Sequence, residues 1–450
     1  MLSASIRRIA ARTLTAALTA IAILVGSKSS GHAQVIGAFA NHPDSAPPGT
    51  GAEAPGSYNR LRALVDEALS HSPVVLAARS HWEAETRGPI QAATLPDPEI
   101  SLQHFSVGSP RPFSGYESSD FYYTGFGVSQ DIPGPGKLGL RAKQAEKEAE
   151  VGRHAFELQQ RQVVEQVRET YFNLFYLNKT LELLRQTQLE LQRVAQTVEA
   201  QYHVGKSQQQ DVLKAQLELT AVLKELEMNR QEVGQSQANF KAILGREQDS
   251  SSIEIGDVTP TELALDDRRL RELGLNNSPT LKQAKAMEER SQTALELARR
   301  DYIPDFNVGY SYENTGRGIR DYYMLTLGAK IPLYFWRKQT PAVEQAALEK
   351  ESAHADAYSK RLSVTSELQN QAIALQTTQR VLKLYSDGLI PQAQATLASA
   401  LAAYRVSKVD FQTLLSSVID VLRLRQEYYR TLADHEIVVA KIQEIIGDQS

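Results

Sequence analysis

The chain states one plan twice, about 200 residues apart, and that duplication limits its fold more than any other feature. Ser72-Pro73 opens a segment that closes at Pro98, and Ser278-Pro279 opens one that closes at Pro304, 206 residues later at each landmark. Tyr202-x-x-Gly205-Lys206 returns as Tyr404-x-x-Ser407-Lys408, at an offset of 202. Solenoid units run roughly 20–50 residues, so the repeat reads as a duplicated half-molecule. Each half carries the same order: helix, strand pair, long helix, turn, long helix.

The first repeat is expected over 58–245, with a helix, a strand pair at 98–132 and a helical hairpin at 138–245. An equatorial connector follows at 246–262. The second repeat is expected over 263–447, with a helix, a strand pair at 304–333 and a hairpin at 338–447. Ahead of both, Arg7, Arg8 and Arg12 precede the apolar run Leu14 to Val25 and the small residues Gly31 and Ala33. That pattern predicts an export signal over 1–33, cleaved before Gln34. A membrane anchor is the alternative, but the run is shorter than the ~20 apolar residues a spanning helix needs. Pro, Gly, Ala and Ser dominate 34–57, as in a flexible tail. Removing the signal takes four positive charges and lowers the net charge from −4 to −8, which leaves no basic excess for nucleic acid.

An exported chain with no apolar helix of spanning length is either soluble or crosses a membrane as a β-barrel. Four strand candidates bear on the choice. Phe306, Val308, Tyr310 and Tyr312 alternate with Asn307, Gly309, Ser311 and Glu313. Tyr323, Leu325, Leu327, Ala329 and Ile331 alternate with Met324, Thr326, Gly328 and Lys330, and Gly316 and Gly318 supply the hairpin loop between the two runs. In the first half Tyr122, Phe126, Val128 and Ile132 alternate with Tyr123, Gly125, Gly127, Ser129 and Asp131; in the fourth candidate, Ile100 to Val107, the phase breaks at His104 and Phe105. Each run has ~10 residues, the length of a tilted membrane strand. An apolar face backed by a small or polar one fits lipid outside and water inside. A half-buried sheet in a soluble domain has the same alternation. Tyrosines at the strand ends favour the membrane. Four strands cannot close a barrel, and an open edge in lipid leaves backbone groups unpaired, so several chains must pool their strands.

The helices carry the stronger pattern. Val167, Leu174 and Leu181 interleave with Leu177, Leu184, Leu191 and Val198; Val212, Leu219, Leu226, Val233 and Phe240 recur every seven residues, and Leu414, Val421, Tyr428, His435 and Ile442 match them 202 residues on. A sustained seven-residue period predicts helices that supercoil on neighbours. The glutamines at 208–210, 231, 235 and 237 read as polar faces.

No nucleophile elbow, H-E-x-x-H, Walker loop or complete G-x-G-x-x-G is present, so an enzyme is not expected. There is no cysteine, so disulfides, thiolate metal sites and a cysteine-linked lipid anchor are excluded. No cofactor and no metal site is expected.

Three motifs carry a resemblance. Gln130-Asp131-Ile132-Pro133-Gly134-Pro135-Gly136-Lys137-Leu138 looks like the strand-to-helix corner of the TolC family of outer-membrane efflux proteins. Tyr202 to Ser207 with Asp211-Val212-Leu213 is similar to that family's helix-hairpin tip, and Tyr404 to Leu415 repeats it. The corner is most similar to the heavy-metal and cation efflux branch. The resemblance implies a mainly α fold with a membrane β-barrel portion. Four strands per chain would contribute to a shared 12-stranded trimeric barrel, and long antiparallel hairpins would form an α-barrel across the periplasm. It implies a homotrimer in the bacterial outer membrane that is the passive channel of a tripartite efflux system. The partners implied are outer-membrane lipid, a periplasmic adaptor and an inner-membrane pump of the proton-driven resistance-nodulation-division type. The cargo implied is small molecules or metal ions.

Under this reading the barrel lumen includes Gly125, Gly127, Ser129, Asn307, Gly309, Ser311 and Glu313. The lipid-facing set is Phe126, Val128, Phe306, Val308, Tyr310, Leu325 and Leu327. The adaptor would meet the tips at Tyr202, Gly205, Lys206, Ser207, Tyr404, Ser407 and Lys408. Asp211 and Asp410 are candidate gate acids, because Thr413 and Ser416 stand where the family often has carboxylates; for Asp211 an ordinary helix N-terminal acid is the alternative. A duct for protein secretion and a soluble periplasmic coiled-coil scaffold stay open as rival readings.

Overall fold

Period-2 and period-7 segments become strands and helices side by side in the computed structural model, which describes residues 57–106, 122–263, 266–315, 320–406 and 408–446. The first repeat opens with α1 (Ser57–His71), α2 (Pro73–Glu85) and α3 (Gly88–Ala93). The helical run that Pro73 begins breaks at Thr86–Arg87, because Pro89 has no N–H to continue the ladder. Strands β1 (Glu99–Ser106) and β2 (Tyr122–Ile132) follow, then α4 (Lys137–His203) and α5 (Gln209–Leu244).

The second repeat runs α6 (Asp267–Asn277), α7 (Pro279–Arg300), β3 (Asp305–Asn314), β4 (Tyr322–Lys330) and α8 (Gln339–Leu384). A π-helical turn (Tyr385–Leu389) joins α8 to α9 (Ile390–Arg405), and α10 (Phe411–Ile446) ends the described chain. The two hairpins therefore differ. The first ascends as one 67-residue helix, ~100 Å at 1.5 Å per residue. The second is interrupted just before Pro391, whose missing N–H releases a backbone carbonyl that the wider turn absorbs.

The heptad positions form the core. Val167, Leu174, Leu184, Leu191 and Val198 of α4 are buried, as are Leu226 and Phe240 of α5 and Leu414, His435 and Ile442 of α10. Two clusters lie along these helices, one around Tyr171, Phe240 and Leu432 and one around Leu191, Val222 and Phe411. The segment after α5 is pinned to the first cluster. Ile253 and Val258 are buried in it, and the Gln237 side chain donates to the Ile253 carbonyl and accepts from its N–H at 2.8 and 2.9 Å. Gln237 thus serves as a clamp, where the sequence pattern had read a polar helix face. Farther along, Glu436 accepts from the Thr261 N–H and hydroxyl, and His435 Nε2 donates to the Thr261 carbonyl at 3.0 Å.

The four strands form one antiparallel sheet in chain order, so β2–β3 is the seam between the repeats and β1 and β4 are its edges. No described helix is long and apolar enough to cross a membrane.

Candidate channel elements

Strand register decides which side chains share a face. In β2–β3, Gly125 stands opposite Glu313, Gly127 opposite Ser311, Ser129 opposite Gly309 and Asp131 opposite Asn307. Ser101 and Gln103 of β1 join this face opposite Gly127 and Gly125. The other face gathers Phe126, Val128, Phe306, Val308, Tyr310, Leu325 and Leu327. Tyr310 stacks on Tyr323 at 6.3 Å, and Leu325 and Leu327 of the edge strand are 64% and 73% exposed. One sheet surface is therefore mostly polar or small and the other mostly apolar.

The phase break at His104 and Phe105 is absorbed without a bulge. His104 lies on the apolar side and its Nδ1 pairs with Thr124 Oγ1 at 2.8 Å, while Phe105 stacks on Tyr123 at 5.3 Å. On the polar side Ser311 and Glu313 are buried, at 6% and 2% exposure, instead of standing in open solvent. The glycines opposite explain this: a Cβ at Gly125 would collide with the Glu313 carboxylate, so glycine leaves the room in which that side chain lies down.

Where β2 turns into α4, the Gly134 N–H donates to Asp305 Oδ1 at 2.7 Å and Lys137 Nζ donates to the same oxygen at 2.8 Å. Lys137 also lies 3.5 Å from Asp301 and is only 4% exposed. Gly136 has φ = 83°, a left-handed conformation that glycine adopts at little cost. Beyond the corner α4 and α7 are laced by ion pairs, Lys147 with Glu289 at 2.8 Å and Arg290 with Glu148. On the sheet, Asp131 accepts from Lys330 at 2.6 Å and from Asn307 at 2.8 Å.

At the far ends of the hairpins the two tips stand side by side. The Tyr404 hydroxyl donates to Gln201 Oε1 at 3.0 Å, and Lys214 Nζ donates to Gln412 Oε1 at 2.9 Å. Burial and the neighbouring Asp211 push the Tyr404 phenol up. Gly205 turns with φ = 71°, and the Lys206 N–H closes on the Gln201 carbonyl at 2.8 Å. The Lys408 N–H closes the second tip on the Ala403 carbonyl at 2.9 Å, and Ser407 lies outside the described residues. Asp211 and Asp410 both act as helix caps here. Asp211 forms a capping box with Gln208, and Asp410 accepts from the Thr413 N–H at 2.9 Å and the Thr413 hydroxyl at 2.5 Å. A groove of about 950 Å³ beside the first tip is lined by Arg193, Gln196, Val204 and Lys206, among others. Leu213 and Leu217, 58% and 69% exposed, line a second groove.

Residues 64–246 and 270–447 match the family described as outer membrane efflux protein. The chain belongs to that family. Its place is the outer membrane, and its family and structural neighbours are channels. No curated protein sequence matches it. Among solved structures the fold is similar to the outer membrane channel CmeC of Campylobacter jejuni, with a TM-score of 0.76, 13% identity, and 91% of this chain and 94% of that one covered. It is similar to the outer membrane protein VceC of Vibrio cholerae, with a TM-score of 0.73, 15% identity, and 86% and 96% covered. It is also similar to the open state of the MtrE outer membrane channel of Neisseria gonorrhoeae, with a TM-score of 0.70, 14% identity, and 87% and 91% covered.

Sequence reasoning missed two features of this outer-membrane efflux protein: the partners of Lys137 and the covering of Glu313. A signal for the first was present, since a lysine directly after Pro-Gly-Pro-Gly has no helix-face reason to be there. Nothing in the alternation of β3 distinguishes Glu313 from an exposed strand acid.

Proposed function

We propose that this chain is the outer-membrane channel of a tripartite efflux system. Three copies pool twelve strands in one barrel, and their hairpins continue the duct into the periplasm. The observation that carries the reading is the protomer's sheet: one apolar face, one small-polar face and two unpaired edges. Unpaired edges are not stable in hydrocarbon, so the sheet is complete only in company. The apolar face meets lipid. The face bearing Gly125, Gly127, Ser129, Asn307, Gly309, Ser311 and Glu313 lines the lumen. A periplasmic adaptor loaded by an inner-membrane pump of the resistance-nodulation-division type docks at the tips, where one groove presents Arg193, Gln196 and Lys206 beside Val204 and the other exposes Leu213 and Leu217 beside Lys214. The Asp211 and Asp410 caps stand near the periplasmic mouth, where they would set its charge. The cargo is small molecules or metal ions, and the energy comes from the pump.

Reconstitution of purified protein in planar bilayers tests the duct: discrete ohmic conductance steps are expected, and their absence defeats the reading. Deleting the gene tests the direction of transport, with intracellular accumulation of metals or drugs as the readout.

A further inference from the structure

We propose that β4 of one copy pairs with β1 of the next in one defined antiparallel register, with Lys330 opposite Ser101, Ala329 opposite Leu102 and Gly328 opposite Gln103 of the neighbouring copy. The proposal rests on the trimeric reading and adds its residue-level seam.

The argument uses the duplication. Within one chain the seam between the repeats is β2–β3, whose pairs include Ile132 with Phe306, Asp131 with Asn307 and Ser129 with Gly309. Between copies the same seam recurs with the repeats exchanged. The strands start after Pro98 and Pro304, 206 residues apart, and end at Ile132-Pro133 and Ile331-Pro332, 199 apart. Carrying the β2–β3 pairs across by these landmarks puts Ile331 opposite Ile100 and yields the three pairs above.

Two checks narrow the choice. The first is chemical. Ser101 and Gln103 share the polar face within the protomer, and so do Gly328 and Lys330; Leu102 and Ala329 lie on the apolar face. The transferred register keeps every pair on its own face, and a slip of one residue would invert all of them. The second is closure. Following opposite residues from Ile100 leads to Val128, Tyr310 and Leu325, and then across the proposed seam to Ser106, an advance of six residues per copy. Three copies then give a shear of about 18 over about 12 strands, which sets a strand tilt of about 46°, at the upper edge of the usual barrel range. A slip of two residues that lengthens the stagger raises the tilt to about 54°, beyond that range. A slip of two residues the other way gives a tilt of about 35°, inside that range, and only the Ile-Pro landmarks and the cross-linking test below separate it from the proposed register.

The corner agrees. The same transfer carries Lys137 onto Trp336, Asp301 onto the neighbouring copy's Leu95 and Asp305 onto its Glu99, so the cation is replaced by an aromatic ring while one of the two acids stays. Trp336 and Leu95 are 55% and 45% exposed in the protomer.

The chain contains no cysteine, so engineered pairs report without background. Directly opposite strand residues bring their Cα atoms to about 4.5–5.5 Å, within disulfide reach, and diagonal ones do not. In the full-length protein in outer-membrane vesicles, Q103C/G328C is expected to give a reducible covalent trimer under mild oxidation, at least tenfold more than Q103C/T326C or Q103C/K330C. L102C/A329C, on the lipid side, is the second reporter should the first variant fold poorly. A stronger band from either slipped pair overturns the register. A protein that stays trimeric by native mass spectrometry but cross-links at none of these pairs overturns the seam alone. A monomer overturns the trimeric reading with it.

Discussion

The two corners where strands become helices stand at the same place in each repeat and are built in opposite ways. At the first, Pro133 to Lys137 folds tightly against the chain. Lys137 is buried on Asp305, and a Cβ on Gly134 would come within 2.6 Å of the Pro304 carbonyl. At the second, Leu333, Tyr334, Phe335 and Trp336 are all exposed, and the three rings pack on one another, Phe335 against Trp336 at 5.2 Å. Arg337 and Lys338 follow, with no ion pair to any described residue. The first corner finds its partner, the α7–β3 junction, in the same chain. The second faces the open edge of the sheet. Duplication supplied two equal corners, and their chemistry diverged according to which one had a neighbour within the chain.

Stability measurements can break this comparison, but the largest expected effect lies elsewhere and must be removed first. Burial, reinforced by Glu165 and Glu367 and opposed by Arg161, raises the Glu444 pKa to about 7 from its ordinary value near 4.5. A carboxyl whose folded pKa is raised stabilises the fold while it is protonated. Between pH 4.5 and 7 the unfolded chain releases that proton first, so stability falls as pH rises, by up to about 3 kcal/mol. Denaturant titrations of detergent-solubilised protein are expected to follow this slope, and Glu444→Gln is expected to flatten it.

In that background, Lys137→Ala is expected to cost about 2 kcal/mol, because two charge-assisted contacts to Asp305 and Asp301 disappear and the buried stem leaves a void. Equal losses from Lys137→Ala and Trp336→Ala would erase the distinction between the corners. Gly136→Ala should cost about 1 kcal/mol through its left-handed backbone. Phe335→Ala, at the matching place, should leave protomer stability unchanged. Trp336→Ala is expected to lower the trimer fraction in native mass spectrometry while the protomer's melting temperature holds. The smallest effect is at Lys330, an exposed partner of Asp131, where Lys330→Ala should leave the denaturation midpoint unmoved.

Much of the fold was legible because its signals repeat along the chain. Alternation at Phe306 to Glu313 needs only neighbouring residues to announce a two-faced strand. The heptad from Val167 to Val198 likewise announces a helix with one buried stripe. The four strands were a count of the alternating runs, and the four-stranded sheet matches that count. The site was less legible. Alternation could sort Gly125 and Ser311 onto one face but could not show that Glu313 lies against Gly125, a pairing across 188 residues set by register. The break at Thr86–Arg87 turned on one proline. Asp211 and Asp410 looked alike as acids near a tip, and only their local hydrogen bonds identify them as caps.

By itself the sequence determined the periods, the duplication and the lack of cysteine, because these are properties of residue order that any conformation preserves. Tertiary structure alone decided that Lys137 is buried on a carboxylate 168 residues away and that the matching corner stays uncovered. The reason is physical: a buried charge is tolerable only beside its counter-charge, and which counter-charge is near depends on how distant strands pair.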